Sequence, residues 1–319
     1  MKILGTGSAL PEKVVTNDDL ARVMDTSDEW IRTRTGIQKR HIAVKETTTS
    51  LAVEAAKKAL EESKISIADL DLIIAATVSP DYIFPTLACE VQAAVGAKNA
   101  TAFDLGAGCS GFLFALATAD AYFKTGRYKN ALIIGAETLS KMMDWGDRST
   151  CVLFGDGAGA AVVSAQGEQL LSMVQRSDGS GGMALKCDNR PVNNLYHQMG
   201  AQQYSFTQME GSAVYKFAVR TVPHAISEAL EKAGVPVDDV KLFVLHQANL
   251  RIIESVAKRL RQPMEKFPTN LEECGNISAA SVPILLDKVR KDGMISKGDK
   301  IVMAGFGAGL TWGACVIEW

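Results

Sequence analysis

An internal repeat restricts the fold of this chain more than any other feature of its sequence. Residues 55–75 (AAKKALEESKISIADLDLIIA) resemble residues 225–245 (AISEALEKAGVPVDDVKLFVL) at an offset of 170 positions. Each segment has the pattern of an amphipathic helix, an acidic turn and an apolar strand. The unit is too long for a solenoid repeat. The sequence therefore predicts an α/β fold made of two copies of one half, residues 1–170 and 171–319, packed as a pseudodimer.

The two copies differ in length near their ends. Residues 157–163 (GAGAAVV) match residues 311–317 (TWGACVI), so the offset there is only 154 and the first copy is longer. The additional residues lie in 137–154. We expect this segment to form a cap or an excursion that contacts a partner.

Charge and hydropathy argue against two classes of partner. The formal net charge is −2, and nucleic-acid binding needs clustered positive charge. No apolar run approaches the roughly 20 residues of a membrane span, and the first residues lack the pattern of a signal peptide. We therefore expect a cytoplasmic protein that binds neither nucleic acid nor membrane.

The cysteines and histidines do not have the spacing of a metal site. Six cysteines occur without a CxxC pair, and the four histidines never recur at ligand spacing. We therefore expect reduced thiols and no bound metal. For a single cysteine, a small buried apolar side chain is the ordinary role, so a chemical role needs a further argument.

Residues 104–112 (DLGAGCSGF) combine a glycine pattern with one cysteine. The glycines match the GxGxxG pattern of a dinucleotide-binding loop, and Glu137 ends the next apolar strand. Glu137 is farther along the chain than the acid expected at about 20 residues. The alternative is a thiol nucleophile. Cys109 stands where a helical pattern begins, and unpaired N–H groups and the helix dipole stabilise a thiolate there.

The repeat separates these interpretations, because the two copies differ at equivalent positions. At three places one copy has a reactive or polar side chain and the other has a small residue. A pseudodimer brings the equivalent strand ends and helix starts together near its pseudo-twofold axis. We therefore predict one composite site with contributions from both halves. The pairs are Cys109 with Ala279, His246 with Ala76, and Asn276 with Gly106.

Seven motifs, in this order, resemble those of the β-ketoacyl-acyl carrier protein synthase III family, the initiating condensing enzymes of bacterial fatty-acid synthesis. The resemblance covers essentially the whole chain. It implies a thiolase-like fold, in which the two halves form a layered αβαβα arrangement. The motifs are GTGSALPE (5–12), DTSDEWIRTRTGI (25–37), CSGF (109–112), FGDGAGAAV (154–162), HQANLRII (246–253), GNISAASVP (275–283) and GFGAGLTWG (305–313).

The resemblance also implies a reaction and its central residues. Cys109 would be the nucleophile, with His246 and Asn276 completing a triad, and the backbone N–H groups of Cys109 and Ala308 would form the oxyanion hole. The implied substrates are a short acyl-CoA and malonyl-acyl carrier protein. The family further implies a homodimer and no cofactor other than the coenzyme A of its thioester substrate.

Binding residues are carried over from the family position by position. For coenzyme A these are Trp30 and Arg148 around the adenine, Arg34 near the phosphates and Asn249 along the pantetheine arm. Phe84 matches an aromatic that crosses the dimer interface, and Phe306 matches an aromatic beside the cysteine. For the carrier protein the implied contacts are Lys216, Gln247, Ala248, Asn249, Leu250, Arg251 and Lys258.

Three alternatives stay open on the sequence alone. Related branches of the same fold make quinolones, acetoacetyl-CoA or polyketide starters, and they retain the Cys-His-Asn triad. A nicotinamide-dependent oxidoreductase would use the glycines of 106–111. A non-catalytic acyl-chain binding module would retain the fold without acylation of Cys109. Gly106 and Gly108 stand where the family commonly has alanine, which leaves the preferred acyl chain open.

Overall fold

The computed structural model describes residues 1–197 and 205–319. The strands are β1 (Lys2–Ala9), β2 (Val14–Thr16), β3 (Lys39–His41), β4 (Leu72–Ala76), β5 (Thr101–Leu105), β6 (Asn130–Thr138), β7 (Asp156–Ser164), β8 (Leu170–Ser177), β9 (Leu185–Lys186), β10 (Gln208–Met209), β11 (Val240–Leu245), β12 (Lys300–Gly307) and β13 (Thr311–Glu318). The helices are α1 (Asn17–Ala21), α2 (Asp28–Thr35), α3 (Thr48–Ser63), α4 (Leu87–Val95), α5 (Gly111–Lys124), α6 (Gly211–Ala233), α7 (Leu250–Leu260), α8 (Leu271–Cys274) and α9 (Ser281–Lys291).

Two sheets with the same topology form the framework. The first has the order β1-β7-β6-β4-β5 and the second has the order β8-β13-β12-β11. In each sheet one central pair is parallel, β4 with β6 and β11 with β12, and the next two pairings are antiparallel. The first sheet has one further parallel strand, β5. The two halves are therefore copies of one α/β unit.

The register of the strands repeats as well. Leu72 pairs with Ala131 in the first sheet, and Leu242 pairs with Ile301 in the second. Both residues of the second pair lie 170 positions after those of the first, as the sequence repeat predicts. The boundary between the halves at residue 170 stays a prediction.

The helices form three layers around the two sheets. Alternate residues of a strand face opposite sides of its sheet, so Ile74 packs against α5 and α9 while Ile73 packs against α3 and α4. In the second sheet Val244 packs toward the same central helices and Phe243 packs against α6 and α7. The arrangement is αβαβα, and the predicted fold class is confirmed.

Local sequence sets the ends of several of these helices. Thr47 caps α3 by accepting a hydrogen bond from Ser50 N, and the Ser50 side chain bonds the Thr47 backbone in return. Gly234 ends α6 with a φ of +65°. Asn249 caps α7 by accepting from Arg251 N at 2.9 Å. No helix among residues 1–197 and 205–319 is long and apolar enough to cross a membrane.

The additional segment 137–154 packs on the N-terminal helices as a cap. A fully buried arginine, Arg40, holds the two parts together: its guanidinium donates to Asn17 Oδ1 at 2.8 Å and to Val152 O at 2.7 Å. Burial lowers the pKa of Arg40 to about 10. The apolar core of the cap consists of Leu20, Ile31, Ile37, Leu139, Met143, Cys151, Val152, Phe154 and Leu271.

Candidate active site

Cys109 lies on a tight turn between β5 and α5. The turn is a single 3₁₀ turn, Gly108–Ser110, and α5 begins at the next residue. Gly108 has a φ of +52°, a conformation that favours glycine. A Cβ on Gly108 would lie 2.8 Å from Ala308 N, and one on Gly307 would fall on the Cys109 N atom. Glycines on both sides therefore let the end of β12 reach the backbone of Cys109.

The thiol of Cys109 is buried, with 9% of the residue exposed. Burial raises the pKa of Cys109 to about 12, although the polar hydroxyl of Ser278 nearby opposes this shift. This corrects the expectation that the helix start favours the thiolate. Loss of hydration outweighs the helix terminus here, because a charged sulfur would have to leave water.

His246 follows β11 and is held from both sides. Its backbone N–H donates to Ala304 O of β12 at 2.8 Å, and its ring meets Phe306 edge to face at 5.3 Å. Burial lowers the pKa of His246 to about 3. Nδ1 has no hydrogen-bond partner among the described residues. The imidazole is therefore neutral at physiological pH and has ring nitrogens available for a substrate.

Asn276 is fixed by backbone pairing with the cap. Its N–H donates to Leu153 O at 2.9 Å, and its carbonyl accepts from Gly155 N at 3.0 Å. The side-chain Oδ1 accepts from Ser278 N at 2.8 Å. Because the amide oxygen is already bonded inside the protein, the Nδ2 donors are left for the cavity.

One cavity of about 240 Å³ collects these side chains. Cys109 comes from the first half, and His246 and Asn276 come from the second, so the site is composite as the repeat predicts. Other lining residues are Trp30, Arg34, Leu185, Met209, Asn249, Phe306 and Gly307. A larger and more open cleft, of about 670 Å³, lies where β1 begins and β13 ends. Its described lining contains no cysteine or histidine, so the smaller cavity is the candidate active site.

Two backbone N–H groups beside the thiol are available for an oxyanion. Among the described hydrogen bonds, none uses the N–H of Cys109 or of Ala308. A Cβ on Gly108 would lie 2.8 Å from Ala308 N, so the residue after β12 packs against the turn that carries Cys109. The oxyanion hole that the resemblance implies at these two groups stays a prediction.

The cavity lining includes the aromatic ring of Trp30, which has two guanidinium groups close to it. The Arg34 guanidinium lies 4.7 Å and the Arg148 guanidinium 5.2 Å from the ring centre of Trp30. Arg148 also bonds the backbone oxygen and the carboxylate of Asp25. Arg148 therefore covers Trp30 in this conformation, and a base stacked between them would have to displace it.

The two predicted aromatics occupy different surroundings. Phe306 is buried in the cavity wall beside His246. Phe84 is 83% exposed and is absent from the described cavity lining. Tyr82 and Ile83 beside it are also exposed, so this segment is an apolar surface of the single chain.

The predicted carrier-protein contacts do not all reach the surface. Gln247 is buried, donates to Leu245 O at 2.8 Å and accepts from Asn270 N at 3.2 Å. Its predicted contact with a carrier protein is therefore wrong, because its side chain supports the loop behind His246. Ala248, Asn249 and Leu250 are partly exposed, and Lys216, Arg251 and Lys258 are exposed.

Asn249 and Arg251 connect α7 to α2. Asn249 Nδ2 donates to Arg34 O at 3.0 Å, and the Arg251 guanidinium donates to Thr33 O at 2.8 Å. Both contacts join the helix after His246 to the helix that carries Trp30. These two hydrogen bonds thus hold the cavity mouth and the surface of α7 in a fixed relation.

The dinucleotide interpretation of the glycine motif is wrong. Glu137 is fully buried and its carboxylate accepts hydrogen bonds from Ser79 and Val78, so it cannot bind a ribose. The sequence analysis did not single out Ser278, a buried residue with a φ of +44° on the turn that packs beside Cys109. The signals for it were the motif 275–283 and the repeat, which aligns Ser278 with Gly108.

The duplicated halves and the cavity between them place the chain among the thiolase-like condensing enzymes, which are acyltransferases. Residues 103–179 match the family described as 3-oxoacyl-[acyl-carrier-protein (ACP)] synthase III, and residues 230–319 match its C-terminal part. The chain belongs to the β-ketoacyl-[acyl-carrier-protein] synthase III family.

Individual relatives are similar over the whole length. A β-ketoacyl-[acyl-carrier-protein] synthase III of Clostridium novyi is 49% identical over 320 residues, which cover 100% of this chain and 99% of the relative. The crystal structure of 3-oxoacyl-[acyl-carrier-protein] synthase III from Aquifex aeolicus VF5 is 48% identical, with a TM-score of 0.93 and coverage of 100% and 99%. The synthase III structure from Thermus thermophilus is 43% identical, with the same TM-score and the same coverage.

Proposed function

We propose that this chain joins a short acyl-CoA primer to malonyl-acyl carrier protein by decarboxylative Claisen condensation, through an acyl-Cys109 intermediate, to start fatty-acid synthesis. The observation that carries the proposal is the shared cavity, in which the thiol of one half meets the imidazole and the amide of the other. Synthase III relatives that are 49% and 47% identical to this chain over its full length support the same substrates.

In the first half-reaction Cys109 attacks the carbonyl carbon of the acyl-CoA. A sulfur–carbon bond forms, the bond to the coenzyme A sulfur breaks, and the acyl group stays on the enzyme. The charge on the carbonyl oxygen is stabilised by the N–H groups of Cys109 and Ala308, which have no other described partner. The thiol must lose its proton before or during the attack.

In the second half-reaction His246 and Asn276 serve as hydrogen-bond donors. Malonyl-acyl carrier protein loses carbon dioxide, and negative charge develops on its thioester oxygen. A neutral imidazole donates one N–H and Asn276 donates through Nδ2, so neither group brings a negative charge to the enolate. The carbanion then attacks the acyl-Cys109 carbonyl carbon, and the 3-oxoacyl product leaves as the cysteine sulfur departs.

The cavity mouth fits the coenzyme A portion of the primer. The adenine would stack with one face on the Trp30 ring and with the other on the Arg148 guanidinium. Arg34 would place a positive charge near the phosphates. Asn249 lines the passage from the mouth to the thiol. The exposed bases of α7, with Lys216 nearby on α6, provide positive charge for an acidic carrier protein.

The exposed segment with Tyr82, Ile83 and Phe84 supports a homodimer, in which Phe84 would cross to the partner and bound its acyl pocket. We further propose a cytoplasmic location, as the sequence leads us to expect. The condensation transfers acyl groups without change of redox state, and the proposed roles use only protein side chains and the thioester substrates. We therefore propose that the reaction needs neither a metal nor a redox cofactor.

The test is intact-mass measurement of the protein after mixing with a panel of acyl-CoAs. We expect a stable gain of one acyl group, mapped to the peptide that contains Cys109, and its loss with formation of 3-oxoacyl product when malonyl-acyl carrier protein is added. The Cys89→Ala variant is the matched control, since Cys89 is a second free and partly exposed cysteine. Absence of acylation with every primer would overturn the proposal and favour a binding module. Acylation followed by condensation with a different extender would indicate a related branch of the fold.

A further inference from the structure

The two N–H groups proposed for the oxyanion hole belong to segments that are far apart in the chain. The N–H of Cys109 lies on the 3₁₀ turn Gly108–Ser110 of the first half. The N–H of Ala308 lies in the connection between β12 and β13 of the second half, 199 positions later. Both groups must lie about 2.7–3.1 Å from one oxygen atom to stabilise its charge. The position of one segment relative to the other therefore decides whether both groups reach the same oxygen.

Backbone hydrogen bonds fix only one side of the connection between β12 and β13. Leu310 N donates to Asp178 O at 2.9 Å, and Asp178 N donates to Leu310 O at 2.8 Å, so the far side is paired with the residue after β8. On the other side, none of the described backbone–backbone hydrogen bonds joins residues 307–311 to residues 107–110. The hydrogen bonds between these two segments come from side chains instead.

Two hydroxyl groups make this connection, those of Ser110 and Thr311. Thr311 Oγ1 lies 2.8 Å from Ala107 O and 3.0 Å from Ala308 O. Ser110 Oγ is buried, and it lies 2.7 Å from Thr311 Oγ1 and 2.7 Å from Ala107 O. Whichever hydroxyl donates to the other, the one that accepts has its own proton left for Ala107 O. The two hydroxyls therefore bond the segment that carries Cys109 to the segment that carries Ala308.

The equivalent turn of the second half has neither hydroxyl. The strand register shows the equivalence, because Thr311 pairs with Gly307 in one sheet as Gly157 pairs with Glu137 in the other. If the hydroxyl pair served only to fold such a turn, we would expect it in both copies. It occurs only at the turn that carries the cysteine. The equivalent positions are Ser110 with Ala280 and Thr311 with Gly157.

We propose that Thr311 is a positioning residue for the acylation of Cys109. With Ser110, its hydroxyl sets the Ala308 N–H where it and the Cys109 N–H bond the same carbonyl oxygen. Thr311 itself does not touch the substrate. Its contribution appears in the transition state, because the carbonyl oxygen gains its negative charge there. This inference rests on the proposed function, in which Cys109 attacks a thioester.

The experiment compares two reactions of the Cys109 thiol in the whole protein. Acylation by acetyl-CoA and by isobutyryl-CoA is followed in single turnover by intact mass, over a range of acyl-CoA concentrations. Alkylation by iodoacetamide is followed in parallel by peptide mass spectrometry. Acylation builds negative charge on a carbonyl oxygen, whereas alkylation takes place at a saturated carbon and builds none there. Only acylation should therefore depend on the oxyanion hole.

Thr311→Val removes the hydroxyl and keeps the branched shape of the side chain. We expect the maximal rate of acylation to fall by about 10-fold to 10²-fold, the effect of a misplaced donor. The acyl-CoA concentration that gives half of the maximal rate should be nearly unchanged, because the lost interaction belongs to the transition state. The rate of alkylation should also be nearly unchanged. Thr311→Ser restores a hydroxyl and should retain most of the acylation rate.

Two further variants complete the experiment. Thr118→Val is the matched control, since the Thr118 hydroxyl donates to Phe114 O at 2.8 Å inside α5, away from both proposed oxyanion donors. It should be acylated at the rate of the unmodified protein. Ser110→Ala removes the second hydroxyl of the pair. It should also slow acylation and not alkylation, but by a smaller factor, because Thr311 still reaches Ala107 O. Ser110→Ala decides the matter if Thr311→Val does not fold.

Three results would overturn the inference. Acylation of Thr311→Val at the rate of the unmodified protein would show that the hydroxyl positions nothing. Equal slowing of acylation and alkylation would show that the thiol itself is disturbed. Acylation of Thr311→Ser as slow as that of Thr311→Val would attribute the effect to packing. Failure of the proposed function would look different, since the unmodified protein would then be alkylated at Cys109 but acylated by neither acyl-CoA, and the inference would fail with it.

Discussion

The two 3₁₀ turns at the centre of the molecule, Gly108–Ser110 and Ser278–Ala280, share one backbone and differ in chemistry. Each starts with a residue of positive φ and leads into a helix of the central layer. In the first, the next residue is Cys109. In the second it is Ala279, a small residue that lets the turns meet. The duplication thus preserved the backbone on both sides and put the cysteine on one side only.

The same division holds at the strand ends. His246 follows β11, and its equivalent is Ala76, the last residue of β4, which packs in the core. Asn276 is paired with the cap, whereas a Cβ added to its equivalent, Gly106, would meet no atom within 4 Å. One half therefore supplies the thiol and the other supplies the imidazole and the amide of the cavity. Under the proposed function, the two half-reactions should respond differently to changes in each half.

The largest effect should follow removal of the nucleophile. In Cys109→Ala we expect condensation to fall at least about 10³-fold, because no acyl-enzyme forms. Decarboxylation of malonyl-acyl carrier protein should continue, because its donors come from the other half. Release of carbon dioxide and formation of 3-oxoacyl product are measured in parallel. Equal loss of decarboxylation and condensation would show that the two reactions do not depend on different halves of the chain.

Changes in the second half should give the opposite pattern. In His246→Ala and Asn276→Ala we expect decarboxylation to fall by about 10² to 10³, the usual cost of one oxyanion donor. Acylation of Cys109 by a short acyl-CoA should survive, as measured by intact mass. A variant that decarboxylates at the normal rate would remove its residue from the proposed donor pair.

Substitution of the equivalent glycines Gly135 and Gly305 tests the difference between the two halves through the free energy of unfolding. A Cβ on Gly135 would strike the Ala279 carbonyl, whereas the nearest atom to one on Gly305 is Leu113 Cδ1 at 3.4 Å. We expect Gly135→Ala to lower the free energy of unfolding by about 3 kcal/mol and Gly305→Ala to change it by less than about 1 kcal/mol. Denaturant titration of both variants measures the difference. Equal values would mean that the turn 278–280 moves freely.

The smallest effect concerns the surface of the second half. In the double variant Arg251→Glu, Lys258→Glu we expect a KM for malonyl-acyl carrier protein raised several-fold, to about tenfold, with the difference shrinking as salt rises. Acylation by acyl-CoA should be nearly unchanged. Lys98→Glu, an exposed lysine of the first half, is the control. Equal damage to both half-reactions would indicate loss of the contact between Arg251 and α2 instead.

The hydrophobic pattern and the internal repeat of the sequence were sufficient to predict the framework of two related sheets. The offset of 170 residues predicts the pairing of Leu242 with Ile301 from that of Leu72 with Ala131, and it identifies Cys109, His246 and Asn276 as positions where the copies differ. Burial was not predictable in the same way. Gln247 turns inward because Asn270, 23 positions away, offers it a backbone N–H. The burial that raises the pKa of Cys109 involves Gly307 of the second half, which packs against the Cys109 backbone although it lies 198 positions away in the sequence.

The central layer has a consequence for how the chain can be divided. Helices α5 and α9 come from opposite halves, and their apolar faces share one core with both sheets. Leu113 of α5 lies beside Gly305 of β12, so a fragment ending at residue 170 would expose Leu113 to water, at a cost of about 2 kcal/mol. We therefore expect the halves to be copies in topology but one cooperative unit in folding. Neither half should then fold as a module that could be exchanged between proteins without its counterpart.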